Sequence, residues 1–151
     1  MTYKATIGSI STGTLLDEDL IEAFSGELAL LCGAQRYHRK LVDEADRMLD
    51  NATPDDRETA SELVNGLQDA LNEYAPAYGY FGTHEGDGAD FGFWLMPDFQ
   101  QMMNFAGVLM VNDTSEIPAD FQGEVLHVND HGNATFYVAD NGTLTEIWSI
   151  V

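Results

Sequence analysis

Apolar positions repeat with two different periods along this chain, and the change falls near Pro76. Before it they recur every three or four residues, the spacing of one helix face. Leu16, Leu20, Ile21 and Phe24 mark a first helix. Thr14 and Asp17 have the spacing of a capping box. Asp17, Glu18 and Asp19 fill the first turn, where the helix dipole favours negative charge. A second helix is expected after Ser25-Gly26, with Leu30, Ala34, Tyr37, Leu41, Ala45 and Met48 on its apolar face. Gly33 lies inside that pattern; it either costs about 1 kcal/mol relative to alanine or marks a break. Thr53-Pro54-Asp55-Asp56 supplies a cap residue, a proline and acids, the start of a third helix. Ala60, Leu63, Leu67, Ala70, Leu71 and Tyr74 form its buried stripe, and Pro76 stops it.

Beyond Tyr78 the apolar residues gather in short aromatic and β-branched runs separated by turn residues, which reads as strand. Two such runs, 78–84 and 89–96, flank Glu85-Gly86-Asp87-Gly88, a hairpin or glycine-rich loop. A short helix is expected over 97–104, and a buried strand over 107–111. A polar loop over 113–121 follows, then strands over 124–128, 134–139 and 143–151. Asp140-Asn141-Gly142 carries the Asn-Gly pair that favours a tight hairpin turn. The predicted fold class is α+β: N-terminal helices packed on a C-terminal antiparallel sheet of about four or five strands. A single domain over 1–151 is expected, with a helical half at about 14–75 and a sheet half at about 78–151. A chain of 151 residues can bury a core of useful size.

Charge changes the picture more than composition does. The net charge is −20, and all six basic residues (Lys4, Arg36, Arg39, Lys40, Arg47, Arg57) lie at or before position 57. The 94 residues that follow carry 15 carboxylates and neither Lys nor Arg. Surfaces usually mix both signs, because opposite charges relieve each other. A surface without that relief repels nucleic acid and attracts basic proteins. Hydrophobic residues make up 44% of the chain, too many for a disordered acidic tail. Adaptation to high salt is the bland explanation for acidity, but eight Asn, six Met and the aromatic strands fit it poorly. Cys32 is alone, so no intrachain disulfide forms and a reducing cytoplasm is the expected setting. The first residues carry no apolar signal core, and no apolar run approaches a membrane span.

The most pointed pattern lies on the third helix. Asp55, Glu58, Glu62, Asp69 and Glu73 share a stripe opposite its apolar face. Carboxylates four residues apart on a helix are separated by about 6 Å of rise, the scale of phosphate spacing on a DNA strand, which advances about 3.4 Å per step along the axis. An ordinary solvated face pairs Glu with Lys or Arg one turn on; this one does not after Arg57. Glu85, Asp87 and Asp90 bring three more carboxylates into one loop tip, beside His84. These eight acids are the candidate partner-binding residues. Tyr78, Tyr80, Phe81, Phe91, Phe93 and Trp94 flank the loop, either as sheet core or, where they face out, as apolar anchors.

Other chemistries find less support. The 84–90 loop lacks the acid spacing of a helix-loop-helix calcium site. His127 and His131 have metal-pair spacing but sit at a strand end and turn, where that spacing does not bring both rings to one face. Cys32 lies in an apolar stretch and reads as core. No catalytic residue, metal or cofactor is assigned. A metal-dependent hydrolase built on His84, Asp87, Asp90, His127 and His131 is the enzymatic alternative.

Three stretches, 5–15 with 19–24, 86–94 and 128–137, resemble small uncharacterised acidic proteins of phages and mobile elements. The resemblance implies a mobile-element setting and no catalytic residues. In that setting small acidic proteins act as DNA mimics against CRISPR or restriction machinery, the anti-CRISPR and anti-restriction type. The function expected is therefore a non-enzymatic inhibitor in the host cytoplasm. It would occupy the basic nucleic-acid-binding surface of a host defence complex, without binding nucleic acid or membrane itself. Homodimerisation is left open. The main alternative is an acidic interaction or accessory protein without DNA mimicry.

Overall fold

The computed structural model describes residues 4–51 and 57–151, which pack as two compact units, Met1–Trp94 and Leu95–Val151. The layout is α+β, with the long helices in the N-terminal unit. The first unit contains β1 (Gly8–Ser11), α1 (Asp17–Cys32), α2 (Arg36–Asn51), α3 (Arg57–Asn72), β2 (Gly79–His84) and β3 (Asp87–Leu95), whose last residue crosses the boundary. The second contains α4 (Phe99–Phe105), β4 (Leu109–Val111), β5 (Gly123–Val128), β6 (Ala134–Asp140) and β7 (Thr143–Ile150).

Helix α1 runs through Ser25-Gly26, where the sequence pattern breaks it. Phe24 and Leu28 are both fully buried on either side of Gly26, and that packing outweighs the roughly 1 kcal/mol the glycine costs. The break comes at Gly33, whose φ of 52° is left-handed, so α1 ends there as helices commonly do at glycine. The predicted stripe that ran across this break is consequently wrong at Leu30 (79% exposed) and Tyr37 (66% exposed). The buried face of α2 is His38, Val42 and Ala45. The Thr14/Asp17 capping box is also not formed. Thr14 Oγ1 instead donates to Asp19 Oδ2 at 2.7 Å and accepts the Leu16 N–H at 3.2 Å. The predicted start of the third helix at 53–56 lies outside the described residues. Its buried stripe is observed at Leu63, Leu67, Ala70, Leu71 and Tyr74, with Ala60 half-buried.

These helices bury their apolar faces with a sheet of their own unit, ordered β1-β3-β2. The expected partition, helices against a sheet half beginning near 78, therefore shifts: β2 and β3 join the helical unit. Phe24 is the hub, with its ring edge-on to Phe81 at 5.0 Å and to Phe91 at 5.3 Å. β1, for which the sequence pattern predicts no element, pairs antiparallel with β3, Gly8 opposite Phe93 and Ser9 opposite Gly92. The strands approach so closely that a Cβ on Gly92 would collide with the Gly8 carbonyl oxygen. Glycine is required there.

The second unit is a sheet ordered β4-β5-β6-β7. β5, β6 and β7 form the expected antiparallel meander, turned by Asn141 and Gly142 at positive φ. β4 differs from the expectation: it runs parallel to β5. The long loop between them makes this geometry available, since parallel neighbours need a crossover rather than a hairpin. On one sheet face Leu126, Phe136 and Trp148 stand in register and are buried. Phe99 of α4 meets Trp148 edge-on at 5.7 Å. On the other face Val111, Val125 and Ala139 pack beneath Ile117 and Phe121 of the loop. Among the described residues no helix is long and apolar enough to cross a membrane.

Candidate functional site

The structure puts the unrelieved negative charge on the surface. Of the 15 carboxylates after Arg57, 14 are exposed, and only Asp90 is half-buried. Along the third-helix stripe their surroundings differ from one acid to the next.

Glu58, Glu62 and Asp69 are exposed on α3, as expected, while Asp55 lies outside the described residues. Glu62 also lines a groove of about 510 Å³ between α2 and α3, together with Glu44, Arg47 and an apolar floor of Leu41, Met48 and Leu63. This stripe thus has a guanidinium at its flank. α2 carries Arg36, Arg39, Lys40 and Arg47, four of the six basic side chains in the chain. The helical face is mixed in sign.

Glu73 has a different task. α3 ends at Asn72, and the next turn is closed by the Glu73 N–H donating to the Ala70 carbonyl at 3.2 Å and the Tyr74 N–H to Leu71 at 2.9 Å. This aims Glu73 and Tyr74 at His38 on α2. The His38 ring is buried, 3% exposed, with Nε2 2.8 Å from Glu73 Oε2 and Nδ1 2.7 Å from the Tyr74 hydroxyl. With the proton on Nε2, imidazole donates to the carboxylate and accepts from the phenol, so both ring nitrogens are satisfied. Burial pushes the Tyr74 hydroxyl up from its ordinary value, and Cys32 and Glu73 add to the effect. Glu73 is therefore a structural acid, although its side chain remains 64% exposed. The sequence reading missed His38. The signal was present, because His38, Val42 and Ala45 step by four and three residues, the same period as the chosen stripe displaced by one position at its start.

The 84–90 hairpin is built largely from its own contacts. His84 Nδ1 accepts the Gly86 N–H at 3.0 Å, and its ring stands edge-on to Trp94 at 4.8 Å. Asp87 Oδ1 accepts the Ala89 N–H at 3.0 Å. Glu85 and Asp87 are exposed, whereas one oxygen of Asp90 is buried without a hydrogen-bond partner among the described residues. Burial, then Glu85, raise the Tyr80 hydroxyl, which donates to the Thr83 carbonyl at 2.8 Å. Phe81, Phe91 and Phe93 are core. Tyr80 and Trp94 are half-buried and engaged, Trp94 through a 3.1 Å bond from Nε1 to the Gly82 carbonyl.

The second unit carries carboxylates and no fixed positive charge. Asp98, Asp113, Glu116, Asp120, Glu124, Asp130, Asp140 and Glu146 are all exposed, and the unit contains neither Lys nor Arg. Asp113 Oδ1 accepts the Ser115 N–H at 2.8 Å, and its bonds to Ser115 chiefly hold that carboxyl below the ordinary range. His127 donates its Nε2 proton to the Asn112 carbonyl, 3.1 Å away, and the His131 N–H closes a turn on Asn129 Oδ1 at 2.9 Å. No partner-binding residue was assigned here from sequence, although the want of Lys and Arg pointed to it. Among the described residues, no three of His, Cys, Asp and Glu come together in a group that could hold a metal ion. Cys32 is buried in the helical core. No protein-family model, curated protein or solved structure matches this chain.

Proposed function

We propose that the protein works by binding rather than by catalysis. It presents carboxylates in place of phosphates to the basic nucleic-acid-binding surface of another protein, a host defence complex of the CRISPR or restriction class. One observation carries this reading: 14 exposed carboxylates after Arg57 with no Lys or Arg among them, eight of them on the second unit. Such a surface concentrates cationic partners through its summed field and raises their association rate. Since Glu73 is bound to His38 and Glu62 shares its groove with Arg47, the principal contacts are assigned to the acids of the second unit and, on the first unit, to the Glu85–Asp87 tip, each taken by itself. Glu58 and Asp69 are secondary contributors.

The test is affinity capture from host lysate at ~0.05 and ~0.5 M salt, with and without excess duplex DNA. Nucleic-acid-binding proteins should be retained at low salt and released both by high salt and by DNA. Retention that ignores salt and DNA supports instead an accessory protein that does not imitate nucleic acid.

A further inference from the structure

β7 (Thr143–Ile150) ends the four-stranded sheet, and among the described residues its strand partner is β6 alone. Its outer edge therefore directs the N–H and C=O of every second residue away from the sheet. Such an edge is normally guarded by lysine, proline, several charges or a β-bulge, and of these β7 has only the register shift beside Ile147. β7 has neither Lys nor Pro, and Glu146 is its single charge. Thr143 through Ile147 are all exposed. The register shifts inside the strand: Phe136 faces Trp148 while Tyr137 faces Glu146, so Ile147 has no residue opposite it on β6 and is 44% exposed. Leu144 is 38% exposed, and beside it opens a notch of about 150 Å³ lined by Ile117, Pro118, Phe121 and Ala139. Within this unit the formal charge beside the edge is negative, with Asp140 at the end of β6 leading into it and Glu146 upon it.

We propose that β7 is a docking edge, and that its occupant is an extended segment of a basic protein, added to the sheet as a further strand. Main-chain hydrogen bonds along β7 hold the segment. Lysine or arginine side chains reach Glu146 and Asp140, and one apolar side chain packs on Leu144 in the notch. Charge selects this occupant over a second copy of the chain, which would bring another net −20 to the same edge. The proposal rests on the reading that the partner is a basic protein, and it adds how that partner is held.

The probe is a short acetylated peptide of alternating lysine and valine, used with two versions N-methylated at every second residue, one in each register. In full-length protein the unmodified peptide should slow amide exchange across Thr143–Ile147. Methylation in one register should leave binding unchanged, and in the other should weaken it about tenfold, because only one set of N–H groups faces β7. Leu144→Lys with Ile147→Lys should weaken the unmodified peptide by about tenfold at unchanged helix and strand content. Equal binding by all three peptides overturns strand addition while leaving attraction to basic proteins intact, and so does peptide binding without protection of β7. Protection of β7 that rises with protein concentration in the absence of peptide identifies a second copy as the occupant and overturns the proposal.

Discussion

Replacing His38 by alanine is the severest test of how the first unit is held. Three terms contribute. The imidazole is buried at 3% exposure, and truncating a buried ring or branched side chain to alanine costs about 2–5 kcal/mol through lost contacts and the void left behind. The Tyr74 hydroxyl, on a residue only 6% exposed, loses its 2.7 Å partner, and an orphaned buried hydroxyl costs about 1–3 kcal/mol. The Glu73 bond contributes least, because the carboxylate is 64% exposed and regains water. These terms overlap, since the void can admit water to the hydroxyl. The expected loss is therefore about 3–5 kcal/mol. For a unit of 94 residues, each kcal/mol lowers the melting temperature by about 4–8 °C. A double-mutant cycle sharpens the test. Tyr74→Phe should cost about 1 kcal/mol in the parent but nothing, or less than nothing, beside His38→Ala, where it removes the orphaned hydroxyl. Urea unfolding of the full-length protein, followed by the helical far-UV signal, measures all four corners. A His38→Ala loss below about 0.5 kcal/mol, or strictly additive substitutions, would refute this account of the cluster.

Other substitutions separate the acids by role. Glu58→Gln, Glu62→Gln and Asp69→Asn together should leave stability unchanged or slightly raised, by at most about 0.5 kcal/mol. They should reduce capture of basic partners less than neutralising Asp98, Asp130, Asp140 and Glu146 does; equal losses in a salt-dependent binding assay would return the weight to α3. Burial raises the Glu27 carboxyl above its ordinary value. A raised acid stabilises the fold only below its unfolded-state pKa, and that contribution disappears as pH rises through the folded value. Glu27→Gln should accordingly raise the melting temperature at pH ~7 and lose that advantage below pH ~4, which thermal scans across pH will show. Gly92→Ala should cost about 1–3 kcal/mol or more, because its Cβ would meet the backbone of β1. Hydrogen exchange should show β1 released first.

Periodicity made the element types legible and left their partners hidden. α3 and the β5-β6-β7 meander appear nearly where their patterns put them, because the apolar stripe of α3 continues in phase past Gly66 and the Asn141-Gly142 turn fixes the last hairpin. α1 and α2 were misdivided because Gly26 and Gly33 look alike in sequence. Only packing around Phe24 and Leu28, and the left-handed φ of Gly33, tell them apart. β1 offers a single apolar residue, Ile10, so its pairing depends on Gly92, which is far away in sequence. At the candidate site, charge sign was legible and commitment was not. Glu73 reads as one more acid on a stripe until α3 ends and turns it onto His38. The parallel partnership of β4 and β5 could not be read from strands whose connecting loop carries no helix pattern.

The central claim is that a basic partner sees this protein as it sees nucleic acid. It is tested most directly by titrating the protein into a captured partner already bound to labelled duplex DNA, at ~0.05 M and ~0.15 M salt. The account predicts that DNA is displaced, that excess DNA reverses the displacement, and that no complex containing both is ever populated. A stable ternary complex of partner, DNA and this protein would contradict it.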